Sequence, residues 1–193
     1  IYQNFNQAIL VSINISMNRD SMLHDIREQL GDIDIAVEVG VWRGDYSRSM
    51  ITKLLPKTFY GIDPYELYEG YTDKPSVVEF ADQHSLDLLY DNVIKTFEQF
   101  NNDYGSTKSI LIRDLGANYA SQFADNSVDF VYLDGDHKYE PVKEEIEAWY
   151  PKVRIGGILA GHDYTERSHI EEFGVIPAVN EFIERTGLNL NTT

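Results

Sequence analysis

Along this chain, apolar runs of roughly five residues alternate with longer stretches in which apolar positions recur every three or four residues. The short runs are IDIAVEV (Ile33 to Val39), TFYGI (Thr58 to Ile62), SILIR (Ser109 to Arg113), VDFVYL (Val128 to Leu133) and GGILAG (Gly156 to Gly161). Rich in β-branched and aromatic residues, they predict strands. Between them, DYSRSMITKLL opens on Asp45 as the expected N-cap, places Met50, Ile51 and Leu54 at helical spacing and stops before Pro56. In PVKEEIEAWY, Pro141 suits a first helical turn. Val142, Ile146 and Trp149 share one face, Glu144, Glu145 and Glu147 occupy the others, and Pro151 ends the segment. IPAVNEFIERTG, closing on Gly187, repeats this logic as a last helix.

Strands separated by helices require crossovers, which predicts an α/β fold: a Rossmann-like, doubly wound, mostly parallel sheet with helices on both faces. The main domain is expected over residues 31–193, preceded by a helical or arm-like segment over 1–30. Within that segment AILVSINIS (Ala8 to Ser16) reads as a strand or docking arm, because it lacks the basic leader and cleavage pattern of a targeting segment. Residues 64–105 are too many for a simple crossover and carry Tyr65, Tyr68 and Tyr71 ahead of SLDLLYDNVIKTFEQF. A lid-like insertion over the ligand and ordinary half-buried packing are equal readings of these tyrosines. GLNLNTT begins another alternating strand and stops, so the domain reads as incomplete at its C-terminus.

A length of 193 residues fits one well-buried domain. A net charge of −16, with 16 Lys and Arg spread without a run, argues against nucleic acid and against an anionic membrane surface, both of which need a concentrated basic patch. The absence of cysteine excludes a disulfide framework and thiolate metal sites and fits a reducing, cytoplasmic setting. A small-molecule partner is the remaining expectation, and homo-oligomerisation is left open.

The chemistry collects where strands are expected to end. The first turn reads E-x-G-x-x-x-G, with Glu38, Gly40 and Gly44, and lacks the G-x-G-x-x-G that brings amides onto a pyrophosphate. An acid there suits a ligand bearing an ammonium group, and Gly40 and Gly44 let it approach the backbone. Asp63 follows Gly40 by 23 residues, near the offset at which a carboxylate accepts hydrogen bonds from ribose hydroxyls. A ribose joined to an amino acid moiety describes S-adenosylmethionine. Two further strands end in Asp134, Asp136 and His137 and in His162 and Asp163.

With these residues in view, the chain from about Ile33 to Gly187 resembles the class I S-adenosylmethionine-dependent methyltransferases. The block from SVDFVYLDGDH to GGILAGHDY is similar to small-molecule enzymes such as macrolide sugar O-methyltransferases. The resemblance implies that Glu38, Gly40 and Gly44 form the methionine-side loop, that Asp63 holds the ribose and that Asp114 lies near the adenine. Asp134 counts with both the cofactor and the metal residues. Trp42 and Arg43 depart from the small residues many members carry in that loop.

A methyl group on sulfonium is already activated, so the enzyme must align the acceptor and remove its proton. Mg²⁺ or another divalent cation lowers the pKa of a hydroxyl and prefers hard oxygen ligands. In related cation-dependent O-methyltransferases the matching strand ends bind metal, which implies Asp134 and Asp163. Tyr164 stands where those relatives have an amide or acid, leaving His162 as the candidate third ligand. His137 is the expected general base and Asp136 its competitor. The plainer alternative is that Asp136 and His137 cap the helix at Pro141 and that His162 is a packed histidine. Two rivals complete the expectations: a non-haem metal-dependent oxygenase using His137, His162 and Asp163, and a non-catalytic nucleoside-binding module.

Overall fold

The computed structural model describes residues 9–12, 19–67, 82–166 and 173–192. In chain order the elements are β1 (Ile9–Ser12), α1 (Arg19–Leu30), β2 (Ile35–Val39), α2 (Asp45–Leu54), β3 (Thr58–Ile62), α3 (Gln83–Asp103), β4 (Lys108–Ile112) and α4 (Gly116–Tyr119). They continue with β5 (Val128–Leu133), α5 (Tyr139–Trp149), β6 (Val153–Gly161), α6 (Val175–Thr186) and β7 (Leu190–Thr192). The strands form one sheet in the order β4-β3-β2-β5-β6-β1-β7, with every pairing parallel. This is the doubly wound α/β architecture expected, extended by β1 and β7 on one edge.

A parallel strand covered on both faces reads as a near-continuous apolar run, which is why VDFVYL lies at the centre of the sheet. On one face, Met22, Leu23 and Ile26 of α1, Met50, Ile51 and Leu54 of α2 and Val93, Phe97 and Phe100 of α3 pack on Ala36, Phe59, Phe130 and Ile158. On the other, Val142, Ile146 and Trp149 of α5 and Val175, Val179 and Phe182 of α6 pack on Val37, Val39, Val131 and Leu159.

The sequence from Ala8 contributes β1, paired with β6 from Ile9↔Ile158 to Ser12↔Gly161, and the alternating C-terminal segment forms β7 beside it. Gln83–Asp103, within the stretch expected as a lid, form a crossover helix whose Leu86, Leu89, Val93, Phe97 and Phe100 are buried. Tyr68 and Tyr71 lie outside the described residues. Two helix starts differ from expectation. Gly44, at φ 79°, is the N-cap of α2, because only a left-handed residue makes that turn, and Asp45 opens the first turn instead. Helix α5 starts at Tyr139, with Pro141 still inside its first turn.

A single buried carboxylate fastens the opposite, amino-terminal edge of the sheet. The Asp129 carboxylate, 6% exposed, accepts from the Asp34 and Ile35 amides at 2.8 and 2.9 Å and from Arg154 Nε at 2.5 Å. The chain leaves β2 toward β3 and β4 and returns at β5 on the other side, so the strand order reverses between β2 and β5. Ligands of such sheets bind outside the carboxyl ends at that reversal.

Candidate functional site

Registration across the sheet delivers the site residues to one edge. Ile112 pairs with Ile62, Ile62 with Val39, Val39 with Leu133 and Leu133 with Gly161. The next residue of each strand therefore falls in a row: Arg113, Asp63, Gly40, Asp134 and His162. The ladder continues through it, since the amides of Asp63, Gly40, Asp134 and His162 donate to Ile112, Ile62, Val39 and Leu133 at 2.8–3.1 Å.

At the reversal, β2 and β5 touch. A Cβ on Gly40 would lie 2.1 Å from the Asp134 carbonyl oxygen, so only hydrogen fits there. The glycine was expected to admit a ligand, but the close approach it permits is to the backbone of Asp134 and Gly135. The Val41–Gly44 turn is closed by Gly44 N–H to Val41 carbonyl at 2.9 Å and carries Trp42 at φ 53°. Glu38 lies beneath that turn, 1% exposed, and accepts a hydrogen bond from Ser47 of α2.

Asp63 is half-buried. Its Oδ2 accepts from the Trp42 amide at 3.0 Å and its Oδ1 from the Tyr65 amide at 2.9 Å. An open cleft of about 490 Å³ lies alongside, lined by Pro64, Glu66, Arg113, Asp114 and Leu115 among others. Asp114 thus reaches the cleft wall, where it accepts from the Leu115 amide at 2.7 Å. The Pro64–Leu67 segment is tied down from α3 and β4: Gln83 Nε2 and the Arg113 guanidinium each donate to the Tyr65 carbonyl at 2.9 Å.

Across the reversal stand two carboxylates and two imidazoles. His137 Nε2 lies 2.7 Å from Asp163 Oδ2 and 3.9 Å from Asp134 Oδ1, and His162 Nδ1 lies 3.2 Å from Asp163 Oδ1 and 3.6 Å from Asp134 Oδ1. Asp163 is 4% exposed and sits at φ 64°, an uncommon conformation for an aspartate. Burial opposes its ionisation, but hydrogen bonds from His137 and His162, with their charges, hold it well below the usual carboxylate range. Phe173 stacks on the His137 ring at 5.6 Å and 16°. Asp136 accepts from the Lys138 amide at 2.9 Å, a turn of its own loop, while Lys138 is the N-cap of α5 with no side-chain cap bond. The expected helix cap at Asp136 and His137 is therefore not formed, and His137 points to Asp163 instead.

Glu145 was read onto a polar face of its helix. The structure turns it inward: Val142, Glu145, Ile146 and Trp149 make a single stripe at i, i+3, i+4 and i+7, a spacing visible in the sequence. A Cβ on Gly135 would lie 2.7 Å, and one on Gly116 3.2 Å, from Glu145 Oε1, so two glycines make room for the carboxyl group. Burial pushes its pKa up to about 8, with the charges of Asp136, Asp134 and Asp63 adding to the effect and His137 opposing it. Glu145 also borders a small cavity of about 40 Å³ beneath Asp134 and His162, floored by Ile146, Leu159 and Val179.

Asp134, His162 and Asp163 can each offer one ligand atom within 4.8 Å of the others, a donor set that suits a divalent cation. Among the described residues no helix is long and apolar enough to cross a membrane.

A family model described as methyltransferase domain matches residues 37–164, about two thirds of the chain. An uncharacterized protein of Acanthamoeba polyphaga mimivirus is 34% identical over 58 residues, 30% of this chain and 25% of that protein. An uncharacterized protein of Sinorhizobium fredii is 36% identical over 67 residues, 35% of this chain and 7% of that one. The chain thus spans a quarter or less of these curated relatives. Among solved structures, an rRNA methylase from Streptococcus thermophilus superposes with a TM-score of 0.53 at 17% identity, covering 91% of this chain and 82% of that one. A spermidine synthase from Thermotoga maritima gives 0.51 at 14% identity, covering 86% of this chain and half of its own length. Both show the shared fold.

Proposed function

The chain belongs to the methyltransferase domain family, and from that premise we propose that it transfers a methyl group from S-adenosylmethionine to an oxygen of a small hydroxylated acceptor. The observation that carries this reading is the division of one sheet edge into two halves at the strand reversal. On one side lie the Gly40–Gly44 turn and Asp63, suited to an amino acid group and a ribose. On the other lie a proton acceptor and a pair of carboxylates. The family match extends over both halves, which favours methyl transfer over an oxygenase that would leave Asp63 without a role. The acidic surface supports a small acceptor over a polyanion.

When bound, S-adenosylmethionine would supply a methyl group already activated on sulfonium, and the acceptor oxygen that takes it would have to give up its hydroxyl proton. His137 takes that proton. Asp163 stabilises the resulting imidazolium through the 2.7 Å contact, and Phe173 holds the ring plane. Asp63, its carboxylate oriented by the Trp42 and Tyr65 amides, directs the ribose. Asp114 serves the adenine from the cleft wall. Asp134, His162 and Asp163 would hold a divalent cation such as Mg²⁺, which would lower the acceptor's pKa and fix its direction.

Calorimetric titration with S-adenosylmethionine and S-adenosylhomocysteine, in Mg²⁺ and in EDTA, tests the two halves separately. Micromolar binding retained in EDTA and lost in Asp63→Ala is expected. Asp134→Ala should bind the cofactor within a few-fold of wild type and fail to methylate any acceptor found by screening hydroxylated metabolites. Normal turnover by that variant would sink the metal assignment, and absence of cofactor binding by the folded wild type would sink the reading as a whole.

A further inference from the structure

Two bulky residues beside the Asp63 carboxylate adopt left-handed backbone, Trp42 at φ 53° and Tyr65 at φ 44°. Such a conformation persists in a bulky residue only where its surroundings over-determine it. Here they hold each other. Asp63 binds the Trp42 amide with one oxygen and the Tyr65 amide with the other, and the Tyr65 hydroxyl returns to donate to the Trp42 carbonyl at 2.8 Å. Tyr65 is 2% exposed, packed against Tyr90 at 5.3 Å, and its own carbonyl is gripped by Gln83 and Arg113. Both peptide groups of the turn at Trp42 are thereby fixed by groups of the β3 loop, one by a carboxylate and one by a phenol.

We propose that Tyr65 is a positioning residue: it latches the Trp42–Gly44 turn to the Asp63 carboxylate, so that the turn and the ribose acid form one preorganised surface. The proposal rests on the assignment of the cofactor to this edge. Its consequence is directional. A ligand that engages only Asp63 gains little from the latch, whereas one that spans Asp63 and the turn meets amides already oriented and avoids the cost of ordering them. Burial, with the nearby negative charges of Asp63 and Glu38, pushes the Tyr65 phenol pKa up, so it remains a donor at every working pH.

Tyr65→Phe removes the hydroxyl and keeps the ring in its packing. The chain has two tryptophans, and Trp149 is fully buried, so acrylamide quenching of tryptophan fluorescence reads Trp42. In the variant, quenching should rise, S-adenosylhomocysteine should bind about tenfold more weakly and adenosine within about twofold of wild type, as loss of one buried hydrogen bond predicts. Unchanged quenching, or an equal loss for both nucleosides, overturns the latch: a general loss of packing would weaken both alike. A wild-type protein that binds neither nucleoside overturns the cofactor assignment itself, whatever the quenching shows.

Discussion

Glu145→Gln isolates the electrostatic cost of an acid placed among acids. In the folded protein burial and the charges of Asp136, Asp134 and Asp63 push the Glu145 pKa from its ordinary value of 4.5 up to about 8. An acid whose folded pKa is raised keeps its proton in the native state while the unfolded chain loses it. Its contribution is therefore fully present below about pH 4.5 and lost as pH rises to about 8. At about 1.4 kcal/mol per pH unit, that displacement has a ceiling of about 5 kcal/mol. The carboxyl group still reaches the site groove, so solvent screening reduces this to about 2 kcal/mol. Glutamine has nearly the same shape and fits the same space beside Gly116 and Gly135. Urea unfolding at pH 4.5 and pH 9 should then show near-equal stability for the two proteins at the lower pH and the variant about 2 kcal/mol more stable at the higher. Parallel stability curves across that range would refute the placement of a neutral carboxylic acid at this point, and a variant less stable at pH 9 would show that Glu145 is ionised and paired.

Three further outcomes separate the two edges of the sheet and the cation from the cofactor. Asp129→Ala leaves the Asp34 and Ile35 amides and Arg154 without their carboxylate, and should lower urea-unfolding stability by about 3 kcal/mol while leaving S-adenosylhomocysteine affinity unchanged. Gly40→Ala drives a methyl group toward the Asp134 carbonyl oxygen at 2.1 Å and forces a left-handed backbone on alanine, so cofactor titration should show binding abolished, accompanied by a lower thermal midpoint. EDTA should abolish turnover but leave cofactor binding within a few-fold, and turnover should return on adding Mg²⁺ or Mn²⁺. Activity at full rate in EDTA would assign proton removal to His137 and Asp163 alone.

The fold was legible because periodicity changes along the chain wherever burial changes. Strands such as VDFVYL and IDIAVEV announce themselves by continuous apolar runs, which a parallel sheet covered on both faces demands. The apolar stretch AILVSINIS carried the same signal, but nothing local says that its β1 will pair with β6 or that β7 will pair with β1. That choice depends on residues nearly 150 positions apart meeting in register, Ile9 with Ile158. The cap of α2 was misread for a local reason: Asp45 has the right side chain, but the turn from Gly40 needs a left-handed residue, and Gly44 immediately before it provides one.

The site was legible as a set of residues and not as a set of contacts. Strand ends deliver Asp63, Asp134, His162 and Asp163 to one edge by position alone, so spacing was enough to collect them. Which atoms meet depends on loop conformation, and there the sequence signal runs out. His137 pairs with Asp163 from a different strand end, and Tyr65 reaches back to Trp42. Glu145 is the instructive case. Its charge suggested solvent, yet its spacing from Val142 and Trp149 put it on the buried stripe, and the two glycines that admit it come from elsewhere in the chain. When pattern and polarity disagree in this way, the helix must either expose the stripe or draw the acid inward, and core packing at Trp149 and Ile146 leaves Glu145 half-buried. The resulting edge gathers carboxylates around a groove, an arrangement that favours a ligand carrying positive charge over a phosphate-bearing one. A sulfonium with an ammonium group offsets that charge in a way a dinucleotide would not.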